Sequence, residues 1–210
     1  MGAEMMEEMI ARTMESLKQR QFDVRYAESA EVAKQILTEY ITPGMKVGAG
    51  GSITMEQLGL AELVKEQQAL WLDRNAQGLP MEERLDVCRT QMTADLFCLS
   101  ANAITEDGLL LNIDGTGNRV AAMTFGPKKI VIVAGSNKIV ADLKAAKERL
   151  QTIVAPGVCK RLRRKTPCVV TGRCMNCKSP ERICRAFSML AAKPVSTDIT
   201  IILVGEPLGL

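Results

Sequence analysis

Cys168, Cys174, Cys177 and Cys184 stand within seventeen residues, in the run CVVTGRCMNCKSPERIC, and Cys159 lies nine residues upstream. The spacing is C-x5-C-x2-C-x6-C. The turn inside a C-x2-C pair points both sulfurs the same way, so Cys174 and Cys177 can chelate one metal, with Cys168 and Cys184 completing a tetrathiolate. Structural zinc usually draws on two separate C-x2-C knuckles, and only one is present here. The uneven spacing therefore favours an iron–sulfur cluster, with zinc as the alternative. The competing reading makes Cys168 and Cys184 small core residues and leaves Cys174 and Cys177 as a reactive thiol pair. Cys88 and Cys98, among apolar neighbours in an expected helix and strand, are read as core.

Nine basic residues between Lys160 and Arg185 face one acid, Glu181, so this segment carries +8. The whole chain carries +3, which leaves −5 for the rest. With 3% aromatic residues and no recognised binding motif, the patch does not read as a nucleic-acid surface. Charge compensation for thiolates, or attraction of a small anion, fits it better. There is no histidine. That removes Ser-His and Cys-His nucleophile pairs and every His-containing metal site.

A second group of candidates lies on glycine-rich turns. In Val47-Gly48-Ala49-Gly50-Gly51-Ser52-Ile53-Thr54 a strand ends in glycines and hands over to a helix, an arrangement that can present backbone amides to phosphate or carboxylate. It is not a P-loop, because no Gly-Lys-Ser/Thr follows, and it lacks the third glycine of a dinucleotide fingerprint. Asn102 and the run Asn112-Ile-Asp114-Gly115-Thr116-Gly117-Asn118-Arg119 flank one expected strand. Both segments can converge at the carboxyl edge of an open sheet, where α/β folds bind ligands. The expected anion-binding set is Gly48, Gly50, Gly51, Ser52, Thr54, Asn102, Asp114, Gly115, Thr116, Gly117, Asn118 and Arg119. No catalytic residue is assigned.

The elements that must position these residues alternate between strand and helix. Met5, Met9, Ile10, Met14 and Leu17 recur at helical spacing over residues 4–20, and AESAEVAKQILTEY over 27–40 predicts a second helix. MKVGAG, QALWL, DLFCLSANAI, LLLNID, KKIVIVAG and DITIILVGE read as strands. PMEERLDVCRTQMTA reads as a helix, NRVAAMTFG as a short helix or turn, and NKIVADLKAAKERL as a helix capped by Ser136 or Asn137. This pattern predicts a parallel or mixed sheet covered on both faces: a three-layer α/β fold with a cysteine-rich insertion before its last strand.

At 210 residues and 47% hydrophobic, the chain suits a single domain over 1–210, with an amino-terminal helix in 1–25 and the basic cysteine-rich segment in 159–190. No apolar run is long enough to cross a membrane, and the acidic, amphipathic amino terminus is unlike a signal peptide. A cytoplasmic location is expected, where thiols stay reduced.

The run SANAITEDGLLLNIDGTGNRVAAMTFGPKKIVIVAGSNKIV, with the earlier GAGGSITMEQLG, resembles the LUD domain of the lactate-utilisation proteins. The resemblance spans roughly residues 10–205. It implies a fold akin to ribose-5-phosphate isomerase and the CoA transferases. It also implies a part in oxidising L-lactate to pyruvate beside iron–sulfur partner proteins, which would make an enzyme of this type an oxidoreductase component. By the same resemblance Gly50, Gly51, Ser52, Thr54, Asn102, Asp114, Gly115 and Asn118 line a shared cleft for a small anionic ligand. Two other classes stay open. One is a small-anion or phosphosugar enzyme without redox chemistry, and the other a non-enzymatic sensor or assembly subunit whose basic patch docks an acidic partner. No nucleic-acid or membrane partner is expected, and self-association into a homo-oligomer is the remaining partner expectation.

Overall fold

Residues Lys129–Gly135 alternate their side chains in the way that organises the whole molecule. Ile130, Ile132 and Ala134 enter one hydrophobic core, while Val131 and Val133 enter another. A strand with both faces buried needs helices or a second sheet on each side, because successive side chains point to opposite faces. The computed structural model describes residues 3–210 and supplies both coverings.

In chain order the elements begin with helix α1 (Ala3–Gln19), strand β1 (Asp23–Ala27), α2 (Ala30–Thr38), β2 (Lys46–Ala49), α3 (Ile53–Gln57), α4 (Leu60–Glu66) and β3 (Leu70–Trp71). Next come α5 (Met81–Thr90), β4 (Leu96–Leu99), β5 (Ala103–Thr105), β6 (Leu110–Asp114), α6 (Asn118–Thr124), β7 (Lys129–Gly135) and β8 (Ile139–Val140). The chain then forms α7 (Leu143–Arg149), α8 (Ala155–Arg161), α9 (Pro167–Thr171), β9 (Ala186–Leu190) and β10 (Asp198–Val204).

Six strands form a sheet in the order β1-β10-β7-β4-β2-β3, and every pairing in it is parallel. On one face lie α2, α3 and α4, whose Ala33, Ile36, Leu37, Met55, Leu63 and Val64 pack on Val131, Val133, Ile202 and Val204. On the other lie α1, α6 and a second, mixed sheet of order β8-β5-β6-β9. The outer face of that sheet, through Ala103, Leu111 and Ile113, carries a third core under α7 and α8. The fold is therefore three-layer α/β with a mostly parallel sheet. Each fully buried aliphatic side chain contributes about 1.5–3 kcal/mol, so cores of this extent hold the layers together without covalent staples.

Several elements differ from the sequence reading. Met5 is exposed, and it is Met6 that packs beside Met9 and Ile10. The expected helix over 27–40 is preceded by β1, and the helix itself starts after Ser29, whose side chain accepts from Val32 N. DLFCLSANAI is not one strand, because β4 and β5 lie in different sheets and the chain changes sheet at residues 100–102. The helix expected from Asn137 begins at Leu143, capped by Asp142, whose carboxylate accepts from Ala145 N at 2.8 Å. Ser136 and Asn137 are engaged elsewhere. Ser136 N donates to Glu206 O, and Asn137 Oδ1 accepts from Leu208 N at 3.1 Å, so both hold the tail after β10. Between α7 and α8 the helix widens into a π turn at Leu150–Val154 ahead of Pro156, which has no N–H to continue the regular ladder.

Segment 159–190 packs against the rest of the fold. Cys159 sits on α8, β9 pairs antiparallel with β6, and Cys168, Ile183 and Cys184 are part of the third core. Of the expected amino-terminal helix region, residues 1 and 2 lie outside the described residues. No helix among the described residues is long and apolar enough to cross a membrane.

Candidate anion-binding site

Strands β2, β4, β7 and β10 run parallel, so their carboxyl ends meet along one edge of the sheet. That edge is where ligands bind in open α/β folds. The glycine turn after β2, Ser100 after β4, Lys138 after β7 and the tail after β10 all arrive there. The second sheet delivers the Asp114–Arg119 loop from the end of β6 to the same place.

Asp114 organises that loop. One carboxylate oxygen accepts from Thr116 N at 3.0 Å and Gly117 N at 3.1 Å, and the other accepts from Arg119 N at 3.1 Å and Arg119 Nε at 3.0 Å. Gly117 takes the left-handed backbone that closes the turn, with φ of 91°. The Arg119 Nη2 donates to Ile113 O at 2.6 Å, which locks the guanidinium across the loop. The ion pair is largely buried, so its hydrogen-bond geometry, which leaves few lone pairs empty, is what makes it tolerable. Asp114 is thus a positioning residue with its acceptors already taken.

The glycines make room for arginines. A side chain at Gly50 would overlap Arg119 Cγ and Cδ, and one at Gly51 would come within 2.8 Å of Arg74 Nη2. Gly48 is different, because its missing side chain makes space for Gln91 and Phe97 inside the sheet. The expectation that this turn offers bare backbone amides to an anion gives way to a turn that brings in two guanidinium groups.

The resulting cleft has a volume of about 320 Å³. Its walls carry Arg74, Arg119, Arg161, Arg164, Arg182 and Arg185 against only two acids, Asp114 and Glu181, an excess of four positive charges. Glu181 is itself occupied, accepting from Lys165 N at 2.8 Å. Three of the nitrogen donors on the walls, Arg74 Nε, Asn118 Nδ2 and Arg182 Nε, are buried and have no hydrogen-bond partner. Such donors each cost about 1–3 kcal/mol, so the walls are held at some expense in stability.

Beside this cleft lies a smaller chamber of about 60 Å³, sharing Gly51, Asn102, Arg119, Val158 and Arg161 with it. Lys138 forms its floor. This side chain is 3% exposed, and its ammonium donates to Ser100 Oγ at 2.7 Å and Thr54 Oγ1 at 2.8 Å. No carboxylate pairs with it among the described residues. Burial, with Arg149 and Arg119 nearby, brings its amine down to about 7. Arg149 is also buried, donates from Nε to Asn102 O at 3.0 Å, and has an unpartnered Nη2.

The cleft gathers Gly51, Asn102, Asp114, Gly115, Thr116, Asn118 and Arg119 from the expected set, and the chamber adds Ser52 and Thr54. Ser52 caps α3 through Met55 N. Gly50 lines a neighbouring hollow with Trp71 and Arg74, whereas Gly48 and Gly117 support the walls without lining them. Arg74, Ser100 and Lys138 carry no sequence signal that would have singled them out. Arg161, Arg164, Arg182 and Arg185 stood in the basic patch, but only the fold turns them toward the cleft.

Cys174, Cys177 and Cys184 lie around the Arg182 guanidinium, and Cys159 lies beside Cys168. Among the described residues no group of three or more Cys, Asp or Glu side chains is placed to hold a metal ion. Cys168 is buried beside Cys159, with its Sγ 3.2 Å from Thr166 Oγ1. Burial pushes the Cys159 thiol up. Cys184 is buried with its sulfur 3.4 Å from Arg182 Nη2, while Cys174 and Cys177 are half-buried on the loop after α9. As arranged, Cys168, Cys174, Cys177 and Cys184 do not fit a tetrathiolate for either iron–sulfur or zinc. Cys168 and Cys184 are committed to the core, and Cys184 also has the Arg182 guanidinium against its sulfur. Cys88 and Cys98 are buried, as the sequence suggested.

A comparison with curated proteins gave no match. Among solved structures, the crystal structure of a DUF162 family protein from Deinococcus radiodurans is similar, with a TM-score of 0.54 at 11% identity. The match covers 95% of this chain and 98% of that one, and it supports the fold alone at this identity. The LUD domain family model matches residues 10–204. With the fold and the match both extending over nearly the whole sequence, the chain belongs to the LUD domain family, which ties it in general terms to the lactate-utilisation proteins.

Proposed function

We propose that this protein binds a small, multiply charged anion in the arginine-lined cleft at the carboxyl edge of its parallel sheet. The observation that carries the reading is the excess of four positive charges among the residues lining about 320 Å³. Guanidinium groups in this number match a phosphate ester or a dicarboxylate better than a single carboxylate, because their summed positive charge favours a ligand with more than one negative charge. Water does not offset the field inside a concave, low-dielectric site as it does on an open surface, so the cleft concentrates anions.

The family supplies the metabolic setting, a lactate-related pathway. Within it, oxidation of L-lactate to pyruvate with iron–sulfur partner proteins is the finer form of the reading, and it rests on family membership alone. Titration calorimetry with inorganic pyrophosphate, a pentose phosphate and L-lactate ranks the ligand classes. The phosphate-bearing ligands are expected to bind at least about tenfold more tightly than L-lactate, and to weaken as salt rises from low to physiological strength. Equal or tighter binding of L-lactate would reject the multiply charged ligand in favour of the monocarboxylate. No binding of any of the three would reject the cleft as an anion site.

A further inference from the structure

Lys138 is the buried group that anion binding in the cleft does not use. Its nitrogen sits between two hydroxyls, Ser100 Oγ and Thr54 Oγ1, at the floor of the small chamber. Three guanidinium groups stand around it: Arg119 and Arg161 in the chamber wall, themselves paired with Asp114 and Glu56, and Arg149 behind, while among the described residues no carboxylate pairs with the lysine itself. A lysine removed from water, with cationic neighbours and no carboxylate, is held toward its neutral amine, which is the nucleophilic form. A lysine serving only as an electrostatic staple would be expected to face an acid.

The tail after β10 completes the enclosure. The backbone of Gly209 passes over the amine so closely that a side chain there would come within 3.0 Å of Lys138 Nζ, and Leu210 lines the chamber wall against Gly157. The chamber shares Arg119 and Arg161 with the main cleft, so a ligand whose anionic end is held by those two arginines projects its other end toward Lys138.

We propose that Lys138 is a nucleophile that captures the carbonyl carbon of a small oxo-anion, whose charged group is held by Arg119 and Arg161, as an imine. The amine nitrogen attacks the carbonyl carbon and its electron pair forms the C–N bond. The carbonyl oxygen takes up a proton to give a carbinolamine. Loss of that hydroxyl as water, with a proton leaving nitrogen, converts C=O to C=N with no oxidant or reductant consumed. The Ser100 and Thr54 hydroxyls, each within hydrogen-bond reach of the nitrogen, can relay those protons. This assignment rests on the anion-binding reading of the cleft and extends it to a carbonyl-bearing ligand.

The test uses the full chain with glyoxylate, the smallest anion carrying an aldehyde, and cyanoborohydride at neutral pH. Hydride adds to the imine carbon and leaves a stable carboxymethyl group on the amine, located by peptide mass mapping. Lys138 is expected to be labelled at least about tenfold faster than the exposed lysines, whose ordinary value near 10.4 keeps them almost wholly protonated. Saturating pyrophosphate, by occupying Arg119 and Arg161, should suppress that label selectively. K138R, checked for folding by circular dichroism, should lose the fast label and leave the slow ones unchanged. Labelling of Lys138 at or below the rate of surface lysines, in protein that still binds pyrophosphate, overturns the nucleophile and leaves the anion site standing. Fast labelling that pyrophosphate does not suppress overturns the role of the two arginines. Loss of both pyrophosphate binding and fast labelling overturns both readings together.

Discussion

The Arg119 side chain occupies the volume that any side chain at Gly50 would need. One residue comes from the turn after a parallel strand and the other from the loop that ends a strand of the second sheet, so their contact joins the two sheets at the ligand edge. G50A should therefore displace Arg119. Pyrophosphate binding, measured by calorimetry, is expected to weaken about tenfold in G50A and by a similar factor in R119M. The double variant should be scarcely worse than either, because both changes remove the same guanidinium from the same place. Additive losses would show that Gly50 acts independently of Arg119.

Asp114 accepts four hydrogen bonds in an almost fully buried position. D114A removes all four and leaves Arg119 without its counter-ion. A stability loss of about 3 kcal/mol is expected, since breaking a buried pair strands the surviving charge. For a chain of this size that corresponds to a fall in Tm of roughly 6–12 °C by thermal unfolding. An unchanged Tm would mean that the loop does not depend on the carboxylate.

Lys138 should give stability a pH dependence of defined sign. Its folded value of about 7 lies below the ordinary lysine value, so between about pH 7 and pH 10 the unfolded chain holds the extra proton and this group's contribution rises with pH. Below pH 7 both states are protonated and the burial penalty is present in full. The buried Cys98 and Cys159 thiols, pushed up by desolvation, contribute the opposite slope at alkaline pH. K138M leaves those thiols in place, so the difference between the two proteins isolates the lysine. Denaturant unfolding at a series of pH values should find K138M gaining most over the native chain below pH 7, with the advantage shrinking toward pH 10.

The thiols divide by burial. Cys174 and Cys177 are half-buried, and the other five are buried. Iodoacetamide under native conditions should alkylate Cys174 and Cys177 first, with Cys88, Cys98, Cys159, Cys168 and Cys184 reacting only as the chain opens. Joint protection of Cys168, Cys174, Cys177 and Cys184, released by a chelator or by acid, would instead establish the metal centre that their spacing suggested. Elemental analysis of the same sample then identifies iron or zinc.

The period-two alternation of KKIVIVAG and DITIILVGE, and the glycine turn after MKVGA, are local properties of a chain that must bury both faces of a strand. They determined the α/β class and the edge where the site would lie. Family resemblance pointed to Asn102, Asp114 and Asn118, and the structure brings all three to the cleft. What the sequence could not determine were the distances between residues far apart in the chain. Lys138 meets Thr54 and Ser100 across 84 and 38 residues, and nothing in Ser-Asn-Lys-Ile-Val marks that lysine as buried. The DLFCLSANAI run broke in two because the Ser100–Asn102 stretch is recruited to the site and to the second sheet, a tertiary demand that overrides a continuous apolar pattern. The cysteine spacing allowed ligation, yet the folded chain buries Cys168 and Cys184 in a core and sets Arg182 against Cys184. Spacing limits which groups can meet, and packing decides which of them do.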